Sequence, residues 1–305
     1  MQDGMDSTAT SKGTRPAGAR PHAGHRWETA YGYARDFLDN RFVYVVISPR
    51  ARGLSVGINM NPDRACNFDC VYCEVDRSSP PRARELDIPV MVEELRHTLE
   101  LAHTGRLRER PGMGNLPDEL LYPRHVALSG DGEPTLCPSF CEALEALAHL
   151  RALGGIPYFK MVLVSNASGL DRPEVQRGLH ALTQQDELWL KLDAGTESWF
   201  RQINRPSVPY RKILDNILLT ARTRPVVIQS LFPRFNGFEP GDAEIDAYVR
   251  RLRHLVQNGA RVALVQIYSA MRPTMLPHCG HLPLRSLSRI AQAVRQGTGL
   301  RVEVY

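Results

Sequence analysis

The chain has 305 residues, with 38 lysines and arginines against 33 aspartates and glutamates and a formal net charge of +5. Hydrophobic residues make up 43% of the sequence and charged residues 23%, which is ordinary for a globular protein. No apolar run approaches the roughly 20 residues of a membrane span, so the composition excludes an integral membrane protein built from helices. The modest positive charge permits contact with RNA without requiring it.

The N-terminal region differs in composition from the rest. Residues 1–25 are rich in serine, threonine, glycine, proline and arginine and contain no hydrophobic stretch, which predicts a disordered tail and not a secretory signal. The six cysteines show no disulfide framework, which favours a reducing compartment and predicts a cytoplasmic protein. We expect residues 26–305 to form one domain.

Hydrophobic periodicity predicts the first elements of this domain. Residues 26–40 have the spacing of a short helix, and the β-branched run at 42–47 predicts an extra strand or an edge ribbon. The first buried strand is predicted at 54–60, and a cysteine-rich loop follows it directly. A helix is predicted at 88–103. Segment 105–124, rich in Arg, Gly and Pro, is either a surface excursion or part of a substrate cover.

From residue 125 onward, strands and helices alternate. Strands are predicted at 125–128, 158–164, 188–192, 226–232 and 262–268, with one more short strand at 302–305. Helices are predicted at 138–153, 172–182, 196–203, 210–223, 242–257 and 284–295. Continuous runs such as VVIQSLF and VALVQIY are typical of parallel strands buried on both faces. The pattern predicts an α/β fold with a parallel sheet.

The most specific motif is the loop CNFDCVYC, in which Cys66, Cys70 and Cys73 lie at spacings of four and three residues. Thiolates on such a loop can converge on three corners of a [4Fe–4S] cluster. Three protein ligands leave the fourth iron open to a substrate or cofactor. A structural zinc site would need a fourth ligand in a second short pair, and none is evident. The spacing therefore predicts an iron–sulfur cluster.

This motif, with Tyr72 before its last cysteine, resembles the signature of the radical S-adenosylmethionine (SAM) superfamily. The phrases KLDAGTESWFRQINRP and VQIYSAMRP are similar to the group of tRNA wyosine synthetases and related Fe–S oxidoreductases, and the resemblance covers roughly residues 50–275. It implies that SAM binds the open iron and that one electron from the cluster cleaves SAM to a 5′-deoxyadenosyl radical, which abstracts hydrogen from a substrate. Six main strands suit the family's partial (β/α)6, TIM-like barrel better than a closed eightfold barrel.

A glycine-rich sequence, SGDGEPT, follows the second predicted strand. Glycines allow close backbone approach, and the Glu133 carboxylate can accept a hydrogen bond from an ammonium group. An ordinary glycine-rich turn is the alternative. The sequence resembles the family's GGEP element, which implies that Gly130, Gly132 and Glu133 hold the amino group of SAM. Asp131 is an added polar position within that element.

Polar residues also follow the third and fourth strands. Asn166 is either a turn residue or, as the resemblance implies, a contact near the ribose or sulfonium of SAM. Lys191 and Asp193 alternate along a strand, so both point to one face, and a buried lysine needs an anionic partner. The alternatives are a structural ion pair or, by resemblance, binding of the SAM carboxylate by Lys191 and of the ribose hydroxyls by Asp193.

The last two strands carry further candidates. Gln229 faces the barrel lumen or is a satisfied core residue. By resemblance, Ile267 packs on the adenine of SAM, and Tyr72 stacks on the adenine or offers it its backbone; an ordinary core role is the alternative for Ile267. Arg205 and Arg272, each followed by proline, are candidates for a carboxylate of SAM or substrate, with surface ion pairs as the alternative.

The sequence thus predicts a radical SAM enzyme that acts on an unidentified substrate and receives electrons from a donor such as a flavodoxin or ferredoxin. One alternative is an Fe–S electron-transfer or redox-sensing protein that does not cleave SAM. Another is a wyosine-synthetase-like enzyme that modifies tRNA, although that family uses cysteines N-terminal to the SAM motif and none precedes Cys66. Cys137, Cys141 and Cys279 are either core thiols or ligands of an auxiliary cluster.

Overall fold

The computed structural model describes residues 37–78, 80–81 and 83–305. The strands in chain order are β1 (Val43–Ser48), β2 (Gly53–Asn59), β3 (Pro123–Ser129), β4 (Met161–Ser165), β5 (Glu187–Lys191), β6 (Val226–Leu231), β7 (Arg234–Phe235), β8 (Val262–Tyr268), β9 (Cys279–Gly280) and β10 (Val302–Val304). The α-helices are α1 (Ile88–His103), α2 (Asp118–Leu121), α3 (Phe140–Ala152), α4 (Pro173–Leu179), α5 (Glu197–Ile203), α6 (Tyr210–Thr223), α7 (Asp242–Gln257) and α8 (Leu284–Thr298).

Eight of these strands form one sheet in the order β1-β2-β3-β4-β5-β6-β8-β10. Neighbouring strands from β2 to β10 are parallel, and β1 pairs antiparallel with β2 at one edge. The six predicted main strands are β2 to β6 and β8, and β1 and β10 are the predicted additions. The α/β class and the partial (β/α)6 barrel are therefore confirmed.

The two faces of the sheet have different roles. Leu190, Ile228 and Ile267 belong to the main core, where the sheet packs against the helices. Residues of the opposite register, including Trp189 and Val227, form a smaller cluster on the other face. We call this second face the inner face. Since side chains alternate along a strand, the register of each residue decides which face it occupies.

Local signals explain why the elements begin and end near their predicted bounds. The Asp87 side chain caps α1 by accepting a hydrogen bond from the N–H of Val90. At α5 the Thr196 side chain accepts from the N–H of Trp199. Gly299 ends α8 in the left-handed conformation that favours glycine. Helices α1, α6 and α7 have the predicted bounds, and most other elements differ from theirs by one to three residues at an end.

Some elements were not predicted. β7 and β9 pair as a separate antiparallel sheet of two residues each, too short to produce a periodic pattern. Segment 105–124 contains a 3-10 helix at Arg106–Glu109 and the one-turn helix α2. Most of the helix predicted at 26–40, and all of the tail predicted at 1–25, lie outside the described residues. In the described part of the chain, no helix is long and apolar enough to cross a bilayer.

Candidate active site

The cysteine loop follows β2 and is tied by its backbone to the segment after α5. The N–H of Val71 donates to the carbonyl of Ile203 at 2.9 Å, and the N–H of Ser207 donates to the carbonyl of Asn67 at 2.9 Å. These bonds join segments that are distant in sequence. The path of the cysteine loop therefore depends on the turn between α5 and α6.

Each motif cysteine has an N–H donor near its sulfur. The donor and acceptor pairs are Phe68 N to Cys66 Sγ at 3.4 Å, Asn204 Nδ2 to Cys70 Sγ at 3.5 Å and Arg77 Nη1 to Cys73 Sγ at 3.5 Å. Such donors stabilise a thiolate, which is the form of cysteine that binds iron. Burial acts in the opposite direction and raises the pKa of Cys66 to about 11 and that of Cys70 to about 12.

The donor set fits three corners of a [4Fe–4S] cluster. It consists of three free, half-buried thiols on one short loop, with hydrogen-bond donors to the sulfurs. Cluster cysteines each bind a different iron, so their sulfurs do not converge on one metal ion. A zinc ion does need such convergence, and among the described residues no three His, Cys, Asp or Glu side chains are arranged around one ion.

The glycine-rich loop after β3 packs directly on the start of the cysteine loop. The N–H of Glu133 donates to the carbonyl of Ala65 at 3.0 Å. A Cβ atom at Gly132 would lie 2.0 Å from the same carbonyl oxygen, so only glycine fits there. Gly130 has a φ of 126°, in the region that favours glycine. The two glycines predicted from the sequence thus have clear backbone reasons to be glycine.

Glu133 is buried, and its carboxylate joins the ends of β3 and β4. Oε1 accepts hydrogen bonds from the hydroxyls of Ser165 at 2.6 Å and Thr135 at 2.7 Å, and Oε2 accepts from the N–H of Asn166 at 2.7 Å. Burial raises the pKa of Glu133 in spite of these donors. Binding of the SAM amino group by Glu133 stays a prediction.

Asn166 contacts the cysteine loop through its side chain. Its Nδ2 donates to Oδ1 of Asn67 at 2.9 Å, and Ser168 Oγ donates to the same oxygen at 3.1 Å. Its own Oδ1 accepts from the N–H of Ser168 at 2.9 Å. Asn166 therefore connects β4 with the loop that carries the cysteines. This position is compatible with either predicted role, as a turn residue or as a contact of SAM.

Asp193 is the centre of a buried polar network. It accepts a short hydrogen bond from the hydroxyl of Tyr72, one from Asn204 Nδ2 at 2.8 Å and one from the N–H of Leu231 at 2.8 Å. Its Oδ1 also lies 3.0 Å from the ammonium of Lys191. The network therefore links the cysteine loop, β5, β6 and the turn after α5.

Lys191 is the charged partner in this network. Its Nζ donates to the hydroxyl of Tyr268 at 2.9 Å and lies 5.1 Å and 5.0 Å from the ring centroids of Tyr72 and Tyr268. Burial acts to lower the pKa of Lys191, but Asp193 and Tyr268 outweigh it and raise the pKa. The predicted pair thus exists, and both residues lie beside the cysteine loop.

Comparison with known proteins finds relatives that match part of their length. No protein-family model matches the chain. A UPF0026 protein of Helicobacter pylori is 29% identical over 179 residues, which are 58% of this chain and 50% of that protein. The S-adenosyl-L-methionine-dependent tRNA 4-demethylwyosine synthase of Oryza sativa is 28% identical over 202 residues, 63% of this chain and 28% of that protein. The chain spans half of the first relative and less of the second.

Solved structures share the fold. The structure of TYW1 with a lysine-pyruvate adduct bound matches with a TM-score of 0.54 at 17% identity, over 87% of this chain and 86% of that one. Streptococcus suis SuiB bound to S-adenosylmethionine matches with a TM-score of 0.55 at 13% identity, over 80% of this chain and 49% of that one. The similarity in sequence to an S-adenosyl-L-methionine-dependent synthase agrees with the radical SAM resemblance of the cysteine motif. The solved structures show that the fold is shared.

Two further residues predicted to contact SAM, Gln229 and Ile267, lie on opposite faces of the sheet. Gln229 is on the inner face, where it contacts Gln266 at 3.2 Å and accepts from the Tyr268 hydroxyl at 3.2 Å. Ile267 is fully buried in the main core on the helix side, and its carbonyl accepts from the N–H of Tyr305. Contact of Ile267 with adenine stays a prediction.

Sequence reasoning missed Asn204 and Tyr268. Asn204 directly precedes the predicted candidate Arg205, and Tyr268 lies two residues beyond Gln266 on the inner face of β8. Their alternation and position were available signals, but neither belongs to a recognisable motif. The two arginine candidates form ion pairs, Arg205 with Asp69 at 3.6 Å and Arg272 with Glu74 at 3.2 Å.

The other three cysteines lie on separate elements. Cys137 is buried just before α3, Cys141 lies on α3 within 3.4 Å of Glu145, and Cys279 lies on β9. Cys279 packs at the edge of the small cluster around Val71, near the cysteine loop. An auxiliary cluster of these three stays an alternative that no contact among the described residues supports.

Proposed function

We propose that this chain is a radical SAM enzyme in which Cys66, Cys70 and Cys73 hold a [4Fe–4S] cluster. The observation that carries the proposal is the position of this loop. Its three thiols stand at the carboxyl end of a parallel strand, where active sites of such sheets form, next to the Lys191–Asp193 pair. The reduced cluster would supply one electron that cleaves SAM to a 5′-deoxyadenosyl radical, which abstracts hydrogen from the substrate.

The residues of this chain would bind and orient SAM. The loop with Gly130 and Gly132 would hold the amino group of SAM, and Glu133 and Asn166 lie at the ends of β3 and β4. Lys191 and Asp193 offer a cation and an anion for the carboxylate and the ribose, with Tyr72, Gln229 and Ile267 as the remaining predicted contacts. The name of the Oryza sativa relative and the SAM bound to SuiB support this assignment.

The substrate and the electron donor are further proposals. Similarity to the Oryza sativa synthase favours a tRNA substrate as the second candidate function, with the same radical chemistry. A flavodoxin or ferredoxin would supply the electron. The six free cysteines fit a reducing compartment such as the cytoplasm.

The test is formation of 5′-deoxyadenosine. The protein is reconstituted anaerobically with iron and sulfide, reduced with dithionite and incubated with SAM. We expect 5′-deoxyadenosine from the wild type and none from Cys70→Ala. Cys141→Ala, which changes a cysteine outside the motif, serves as the matched control and should retain the activity.

A reduced, intact cluster that neither binds nor cleaves SAM would reject the proposal and leave the electron-transfer or sensing role. The tRNA candidate is tested separately by adding bulk tRNA to the same reaction. An increase in 5′-deoxyadenosine together with a mass change in a tRNA nucleoside would support it, and unchanged tRNA would reject it.

A further inference from the structure

Arg50 reaches across the molecule to the opposite end of the sheet. It lies in the turn between β1 and β2, yet its guanidinium carbon is 4.1 Å from the centroid of the Tyr268 ring on β8. In a flat sheet β2 and β8 would stand about 24 Å apart, so this contact requires the sheet to curl strongly. Arg52 of the same turn pairs with Glu303 of β10 at 3.2 Å.

Two lysines on the inner face are paired with carboxylates. Lys191 pairs with Asp193 at 3.0 Å, and Lys160 pairs with Glu187 at 2.8 Å. Arg50 has no Asp or Glu oxygen within 4.0 Å among the described residues. Its Nε is buried and has no hydrogen-bond partner in that part of the chain.

Arg50 is half-buried, and its buried Nε without a partner is energetically unfavourable, because a polar atom removed from water loses its hydration. An anion bound from solution removes this cost. Guanidinium groups bind carboxylates and phosphates through two parallel hydrogen bonds, and stacking on an aromatic ring leaves the edge of the group available for them.

The ring beneath Arg50 is held in place. The Tyr268 hydroxyl accepts from Lys191 Nζ and donates to Gln229 Oε1 at 3.2 Å, and only 7% of the residue is exposed. Tyr268 therefore connects Arg50 with two of the predicted SAM contacts. An anion on Arg50 would lie on the same side of the sheet as those contacts.

We propose that Arg50, stacked on Tyr268, forms a subsite for an oxyanion of the substrate, either a carboxylate or a phosphate group. That the anion belongs to a substrate rests on the proposed function. The anion site itself rests on geometry alone. It would narrow the substrate class to molecules that carry such a group.

The experiment measures anion binding by the anaerobically reconstituted protein without SAM. Sodium acetate and inorganic phosphate are titrated separately at constant ionic strength set with chloride, and the midpoint of thermal unfolding is recorded. We expect one of the two anions to stabilise the wild type saturably. Acetate alone would identify a carboxylate site, phosphate alone a phosphate site, and both an oxyanion site that accepts either.

Arg50→Gln should raise the dissociation constant of the anion about tenfold or more, because both guanidinium hydrogen bonds and the charge are lost. Arg52→Gln removes an equal charge two residues away and should leave the constant within about twofold, since exposed ion pairs contribute little. If Arg50→Gln does not fold, Arg50→Lys keeps the charge and loses the paired hydrogen bonds, and it should also bind weakly.

Three results would overturn the proposal: no saturable stabilisation of the wild type, equal affinity in the wild type and Arg50→Gln, or equal losses in Arg50→Gln and Arg52→Gln. None of these depends on SAM cleavage. Anion binding through Arg50 in a protein that forms no 5′-deoxyadenosine would reject the proposed function and keep the anion site.

Discussion

The hydroxyl of Tyr72 donates a hydrogen bond to Asp193, which joins the cysteine loop to the end of β5. Asn204 donates to both residues, at 3.0 Å to the Tyr72 hydroxyl and 2.8 Å to the Asp193 carboxylate. Because Asp193 can only accept, the amide nitrogen of Asn204 must face it. The cysteine loop is therefore linked to the Asp193 side chain by two hydrogen-bonding residues.

Replacement of Asp193 by asparagine should destabilise the fold strongly. The variant leaves the ammonium of Lys191 buried without its anion, and breaking a buried ion pair from one side costs about 3 kcal/mol. Urea unfolding of the protein without SAM measures the change. Asp215→Asn, which breaks the exposed pair with Arg211, should cost less than about 0.5 kcal/mol. Equal shifts in both variants would contradict a buried ionic network.

Gly132→Ala should disrupt the contact between the glycine-rich loop and the cysteine loop. The new methyl group would overlap the carbonyl oxygen of Ala65, so one of the two loops must move. We expect a lower iron content after reconstitution and a loss of stability of about 2 kcal/mol. Gly155→Ala is the matched control, since a Cβ there meets nothing within 4 Å. Full iron loading of Gly132→Ala would show that the close approach is dispensable.

Because of His125, the free energy of unfolding should decrease as the pH is lowered from about 6.5 to about 4. Burial, with help from the positive charges of Lys160 and Arg50, lowers the pKa of His125 to about 4, although the negative charge of Glu187 acts in the opposite direction. As the pH falls through the unfolded value of about 6.5, only the unfolded chain takes up this proton, so the folded state loses up to about 3 kcal/mol by pH 4.

The measurement is the urea midpoint of the wild type and of His125→Gln at several pH values from 7 to 4. The variant is expected to be less stable at pH 7, because it loses the His125 imidazole. That ring forms a 2.8 Å hydrogen bond with the Ser55 hydroxyl and packs edge-on against Trp189. The difference between the two proteins should shrink as the pH falls. A constant difference would mean that His125 does not titrate in this range.

Asn204→Leu should lower the reduction potential of the proposed cluster. Asn204 Nδ2 lies 3.5 Å from the sulfur of Cys70, and hydrogen bonds to cluster sulfurs favour the reduced, more negative form. We expect a shift of tens of millivolts in a redox titration followed by electron paramagnetic resonance. Asn216→Leu removes a buried asparagine that contacts Ala167 and Ser168 instead, and its potential should match the wild type.

The sequence alone was sufficient for the elements whose signals are local. Three helices have the predicted bounds because apolar spacing and caps act within a few residues. The cysteine motif occupies eight consecutive residues, so the cluster can be predicted from its spacing without reference to the rest of the chain. Alternation along a strand also predicts that Lys191 and Asp193 lie on one face of the sheet.

Tertiary structure decided what depends on distant residues. The sheet β7–β9, the amide of Asn204 beside Cys70 and the stacking of Arg50 on Tyr268 join segments far apart in sequence, and no local pattern specifies them. The curl of the sheet brings its two ends together, which gives Arg50 a place on the inner face. Local propensities determine which elements form, whereas the packing of the whole core determines which polar side chains meet.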